Sequence, residues 1–193
     1  MNLSLKRVTK YFALALVGLA LMAASGTWTY AATTATATPL LTVTVGTAAT
    51  ASATAVTFAS PGSDFTGNYT GDTTLTFGIR TTASGGTGSI TVEGSTEFSP
   101  INGPSIAGGK LSYTCAVGDL TEGTPAQLGG GYTYCTGGTT TVVMNTPKNV
   151  LAPIGANART SGATLLVHFI IPEDASYPAA TYTGNVRFTV TAN

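Results

Sequence analysis

Between Thr181 and Ala192 apolar and polar residues alternate. Tyr182, Val186, Phe188, Val190 and Ala192 fall on one side, and Thr181, Thr183, Asn185, Arg187, Thr189 and Thr191 on the other. A repeat of two belongs to extended backbone, where successive side chains point to opposite faces. The segment is therefore predicted to be a half-buried strand, and such a strand requires a sheet and a second layer to cover its apolar face. Just before it, Leu165 to Ile171 is an apolar run rich in branched and aromatic residues, closed by Pro172. The turn-forming stretch from Pro172 to Pro178 joins the two runs, which are predicted to form an antiparallel pair with the first member more deeply buried.

The same alternation recurs upstream. Leu41, Val43 and Val45, separated by Thr42 and Thr44, predict a first strand, and Val56 and Phe58 a second, stopped at Pro61-Gly62. The stretch from Ser63 to Gly71 reads as a loop. Leu75, Phe77 and Ile79 predict a third strand, joined as a hairpin to a fourth at Ile90 and Val92 through Gly85-Gly86-Thr87-Gly88. Leu111 to Cys115 and Tyr132 to Cys135 are matching runs, expected as a hairpin or as adjacent strands. A further strand is expected from Thr139 to Met144. Thr146 to Gly162 reads as a long irregular connection, or one that hides an edge strand at Val150-Leu151.

Past the N-terminal segment no apolar residues recur at helical spacing. The chain is accordingly expected to be all-β, an immunoglobulin-like antiparallel β-sandwich of about 7–9 strands that follows a cleaved N-terminal signal helix. Threonine, β-branched with a hydroxyl, suits the solvent face of such strands. A closed barrel would show the same periodicity.

The N-terminus has the three-part layout of a secretory signal: Lys6, Arg7 and Lys10, an apolar run from Phe12 to Ala24, then small residues. Residues 1–31 are read as signal peptide, 32–39 as a flexible Ala/Thr leader and 40–193 as one sandwich domain. The apolar run falls short of the ~20 residues of a bilayer span, so no stable membrane insertion is expected after cleavage. The protein is expected in the periplasm, at the cell surface or outside the cell. Three of the eight basic residues lie in the signal, leaving five against eight acidic ones, a net charge of −3. Without a basic patch, nucleic acid is not an expected partner.

Cys115 and Cys135 are the only cysteines. In an oxidising compartment they are expected to form a structural disulfide, since they lack the CxxC spacing and neighbouring histidines of a redox or metal pair. No catalytic set is visible and no cofactor is expected. His168, the single histidine, sits in an apolar strand and reads as a core or interface residue whose nitrogens meet backbone or water. Glu93 and Glu97 read as a solvated strand face, not as the paired carboxylates of a glycosidase. Asp64 and Asp72 bracket a loop that could offer oxygens to calcium but lack the dense spacing of a calcium loop, and no metal site is expected. Tyr69, Tyr113, Tyr132 and Tyr134 are candidate aromatic contacts for a ligand.

The terminal sequence Tyr177-Pro178-Ala179-Ala180-Thr181-Tyr182-Thr183-Gly184, running into Val186-Arg187-Phe188-Thr189-Val190-Thr191, resembles the last strand of exported bacterial sandwich proteins of the spore coat protein U type and their chaperone–usher pilin relatives. The resemblance implies assembly by β-strand addition, in which a neighbour's N-terminal extension completes an open groove. Leu41, Val43 and Val45 would be the donor segment; the other reading makes them the first strand of their own domain. The expected function is a non-enzymatic structural or adhesive cell-surface subunit, of pilus or fimbrium type, whose partners are copies of itself or other surface subunits. The alternative is a monomeric binding module for carbohydrate or a protein ligand.

Overall fold

The computed structural model describes residues 40, 42–60, 66–129, 132–134 and 138–193, with the backbone alone at Val117, Thr133 and Tyr134. The expected signal (1–31), the leader (32–39), Leu41, Asp64 and Cys135 lie outside the described residues. The chain divides into two units, Met1–Val43 and Thr44–Asn193. In the first, the described residues Leu40, Thr42 and Val43 are exposed.

The second unit contains ten strands among the described residues, in chain order β1 (Ala48–Ala53), β2 (Asn68–Arg80), β3 (Gly88–Ser99), β4 (Ser112–Thr114), β5 (Leu120–Thr121), β6 (Thr133–Tyr134), β7 (Thr140–Thr141), β8 (Lys148–Ile154), β9 (Arg159–Pro172) and β10 (Thr183–Ala192). They pair antiparallel in two sheets. The first runs β1-β2-β9-β4-β7, with β5 also on β9, and the second runs β10-β3-β8-β6.

The alternation seen in the sequence decides which faces meet. In β9, Ala163, Leu165, Val167, Phe169 and Ile171 turn inward and are buried, as are Leu75, Phe77 and Ile79 of β2. Opposite them stand Ile90 and Val92 of β3 and Val150, Leu151 and Ile154 of β8. Each of these valine, leucine, isoleucine and phenylalanine side chains contributes ~1.5–3 kcal/mol when taken from water. Phe169 ties the layers, with its ring 6.4 Å from that of Tyr113 in its own sheet and 6.3 Å, edge-on, from that of Phe188 in the other. In β10 one face is half-buried and the other exposed along its whole length.

Several expected pairings are replaced by others. The Leu165–Ile171 and Tyr182–Ala192 strands do not pair with each other, because β9 lies between β2 and β4 while β10 crosses to the other sheet and pairs with β3. The turn at residues 85–88 likewise carries the chain from β2 in one sheet to β3 in the other, so it closes no hairpin. The runs ending at Cys115 and Cys135 are not adjacent either: β4 pairs with β7 and β9, β6 with β8. Residues 146–162 are mostly strand, since β8 runs inside its sheet between β3 and β6 and a short turn leads directly into β9. The expected loop at 63–71 gives way to β2 from Asn68 onward.

The N-terminal edge also differs. Residues 42–47 belong to no strand, and Val43 and Val45 are 78% and 64% exposed. The first strand is instead Ala48–Ala53, whose small side chains are all exposed and which is held to β2 by backbone pairing. Val56 and Phe58, expected as a strand, follow the edge of β2 more loosely. The Thr54 N–H donates to Thr74 O (3.2 Å) and the Ala59 N–H to Thr70 O (2.7 Å).

Candidate functional site: the open flank between the sheets

β1 ends the first sheet and β10 the second, and the two lie along the same flank. Beyond Ala53 the sheets part. A cavity of about 440 Å³ opens there, lined by Val56, Phe58, Phe98, Phe169, Val186 and Phe188 among others, so side chains of the core itself form its floor. Gly71 permits this arrangement, because a Cβ at that position would stand 2.6 Å from Val56 Cγ1 and 2.9 Å from Thr57 O. The outer edge of β10 is paired with no strand among the described residues. Unpaired backbone N–H and C=O groups on such an edge form a template for another strand.

A second cavity of about 580 Å³ continues from the first, sharing Val56, Phe58, Phe98 and Tyr182 and adding Tyr69, Tyr177 and Glu173. The Tyr69 hydroxyl donates to Glu173 Oε1 (3.3 Å), while Glu173 Oε2 and the Tyr177 hydroxyl are buried without a hydrogen-bond partner. Tyr182 is fixed at its far end, where its hydroxyl donates to Pro178 O (2.6 Å), and its ring lies so close to Gly103 that a Cβ there would come within 2.0 Å of it. Burial, then the charge of Glu173, pushes the Tyr69 phenol up; burial, then Asp174, does the same to Tyr177. Asp174 is held below the usual carboxylate range by the Ser176 hydroxyl and N–H, which donate to Oδ1 at 2.7 and 2.9 Å.

The candidate residues of the sequence separate. Tyr69 lines the larger cavity, but from within β2 and not from a loop. Tyr113 is fully buried, its hydroxyl donating to Asn149 O (2.8 Å), and burial pushes its pKa up to about 12; it faces the core and cannot touch a ligand. Tyr132 is half-buried and donates to Glu122 Oε1 (3.1 Å). The Tyr134 side chain and Cys135 lie outside the described residues, and with Cys135 the expected disulfide. Cys115 is half-buried, with Sγ 3.9 Å from Val150 O. Phe58, Phe98, Glu173, Tyr177 and Tyr182 were not among the predicted site residues. They come from three separate stretches of the chain, and only the closely spaced Tyr177 and Tyr182 around Pro178 gave a local sign.

His168 is neither a core residue nor bonded to backbone. It stands on the outer face of β9, with Nδ1 2.8 Å from Asp72 Oδ1 and Nε2 3.3 Å from Asp119 Oδ2. Both ring nitrogens are taken by carboxylates, which leaves neither to act as a base toward a nucleophile. Among the described residues no group of three or more His, Cys, Asp or Glu is placed to hold a metal ion, and no helix is long and apolar enough to cross a membrane. No family model, curated protein or solved structure matches this chain.

Proposed function

We propose that the chain is an exported, non-enzymatic cell-surface subunit, structural or adhesive, that assembles by β-strand addition with copies of itself or with other surface subunits. The observation that carries this reading is the open flank, where a strand edge paired with no other strand among the described residues borders a cavity floored by core side chains. In an immunoglobulin-like sandwich of the constant type, strands A, B, E and D form one sheet and C, F and G the other. We read β1, β2, β9 and β4 as A, B, E and D, and β3 and β10 as C and F; the chain order and sheet order of these six support this, while β8 and β6, beyond β3, and β5 and β7 in the first sheet are additions to that scheme. The place of G, at the outer edge of β10, is then the place an added strand would take.

Val43 and Val45 support the second half of the reading. They stand exposed in no strand, and with Leu41 they form the alternating apolar set that a donor strand offers to successive pockets. Burying branched side chains of this size would return ~1.5–3 kcal/mol each, against the cost of ordering the segment. The signal-like N-terminus and the resemblance of the terminal strand to exported sandwich subunits agree with assembly outside the cytoplasm.

The test is the size of the mature protein in solution. Protein beginning at residue 32 is expected to form a ladder of oligomers that survives mild heating in detergent. Protein beginning at residue 46, or carrying Val43→Asp, is expected to remain folded and monomeric. A full-length monomer at all concentrations, or a truncated form that unfolds, would refute strand addition.

A further inference from the structure

We propose that the larger cavity is a binding site for a primary alkylammonium group, seated between the rings of Tyr69, Tyr177 and Tyr182 with its nitrogen on Glu173. Three observations converge on this chemistry. The first is size and shape: about 580 Å³, within the range of small-molecule sites, with walls that are largely aromatic and apolar. The second is a pair of unsatisfied groups. Glu173 presents two oxygens, of which Oε1 receives the Tyr69 hydroxyl while Oε2 is buried without a donor, and the Tyr177 hydroxyl is in the same condition. A buried carboxylate oxygen without a partner is costly, and a donor that also carries positive charge offsets that cost best.

The third is electrostatic. The lining contains Glu173 and Asp174 but no lysine, arginine or histidine among the described residues. Lys110 is close enough to act on Asp174 but does not line the cavity. Asp174 is already engaged by Ser176, which leaves Glu173 as the unsatisfied acid. Aromatic faces around a carboxylate favour a cation over a neutral guest. A free ammonium nitrogen has three hydrogens, enough for Glu173 Oε2 and the Tyr177 oxygen, and the alkyl chain behind it suits the apolar wall at Val56, Phe58 and Phe98. The same chemistry is presented by a free diamine and by a lysine side chain of a partner.

All of these residues belong to one copy, so the proposal stands or falls separately from strand addition. The experiment is calorimetric titration of the full chain, fractionated as monomer, with cadaverine, with lysine capped at both backbone ends, and with methyl glucoside. Cadaverine is expected to bind, and Glu173→Gln, which keeps shape and an acceptor for Tyr69, to weaken it tenfold or more; Tyr177→Phe is expected to weaken it several-fold. Capped lysine binding as well would assign the site to a side chain, and cadaverine alone would assign it to a free amine. Absence of binding by both amines, binding indifferent to both substitutions, or equal binding of the glucoside overturns the proposal. Should Glu173→Gln fail to fold by circular dichroism, the Tyr177→Phe comparison decides.

Discussion

At the scale of single residues, two carboxylates expected on a solvated face prove to be structural. Glu93 is buried and paired with Arg187 directly across the β3–β10 ladder, with Nε 2.8 Å from Oε1 and a second contact through Nη2. Glu97 organises the loop that follows β3. Its oxygens accept the N–H groups of Phe98 (2.8 Å), Ile106 (2.7 Å) and Ala107 (2.7 Å) and the Ser105 hydroxyl (3.1 Å). That loop carries Ile106 into the core and brings Gly103 against Tyr182. Burial alone would push the Glu97 carboxyl up, but the N–H groups of Ala107, Ile106 and Phe98 and the Ser105 hydroxyl outweigh it, and the net direction is down. A carboxyl lowered in the folded state contributes stability that is complete above its unfolded value, ~4.3, and is lost as pH falls through the folded one. Glu97→Ala, which leaves these donors without an acceptor, is expected to cost about 2 kcal/mol at neutral pH. Urea unfolding of both proteins from about pH 7 to about pH 3 checks this. The difference should shrink at the acid end, and one that stays constant would show that the charge of Glu97 plays no part.

At the scale of elements, His168 is the fastening between β2, β9 and the 3-10 turn at Val117–Asp119. The hydrogen bond that its ring N–H donates to Asp72 raises its pKa, burial opposes, and the charges of Asp72 and then Asp119 raise it further. A histidine raised in the folded state contributes stability that is complete below its unfolded value, ~6.5, and is lost as pH climbs through the folded one. The group is 35% exposed on its side chain, so solvent screening keeps the effect small. A fall in melting temperature of at most about 3 °C is expected between about pH 6 and about pH 8. His168→Gln should abolish the slope, and an unchanged slope in that variant would assign it to other groups. None of this was readable along the chain, since Asp72 lies 96 residues from His168 and sheet neighbours are set by tertiary pairing. What was readable is the inward face of each long strand, because a period of two with one buried side leaves only one workable register. Leu75, Phe77 and Ile79 show it, as do the buried residues of β9 and the half-buried face of β10. The alternation fixes a face but names no neighbour, and so the sequence misled on pairing wherever a short turn crossed between sheets instead of folding back. Tyr113 failed for a related reason: a three-residue strand, β4, is too short to reveal which side of it is covered.

At the scale of the whole molecule the two flanks of the sandwich differ. β1 and β10 border the open one, while β4 and β7 of the first sheet and β6 of the second lie at the other ends of their sheets. Cys115 follows β4 directly and Cys135 follows β6, so the expected disulfide would join the two sheets at the side away from the groove. Cys115 already reaches toward the second sheet, with its sulfur 3.9 Å from Val150 O of β8. A covalent tie there would resist splaying of the layers at the side away from the cavity, where the two sheets are held by the area they bury against each other. For a closed loop of about twenty residues the chain-entropy account gives ~3 kcal/mol. Changing both cysteines to serine is therefore expected to lower the urea-unfolding free energy by about 3 kcal/mol. It should also speed amide exchange most at β4, β6 and β8, with little change along β3 and β10. Thiol titration of the unfolded, unreduced protein comes first: a pair of reactive thiols there would remove the tie between the sheets.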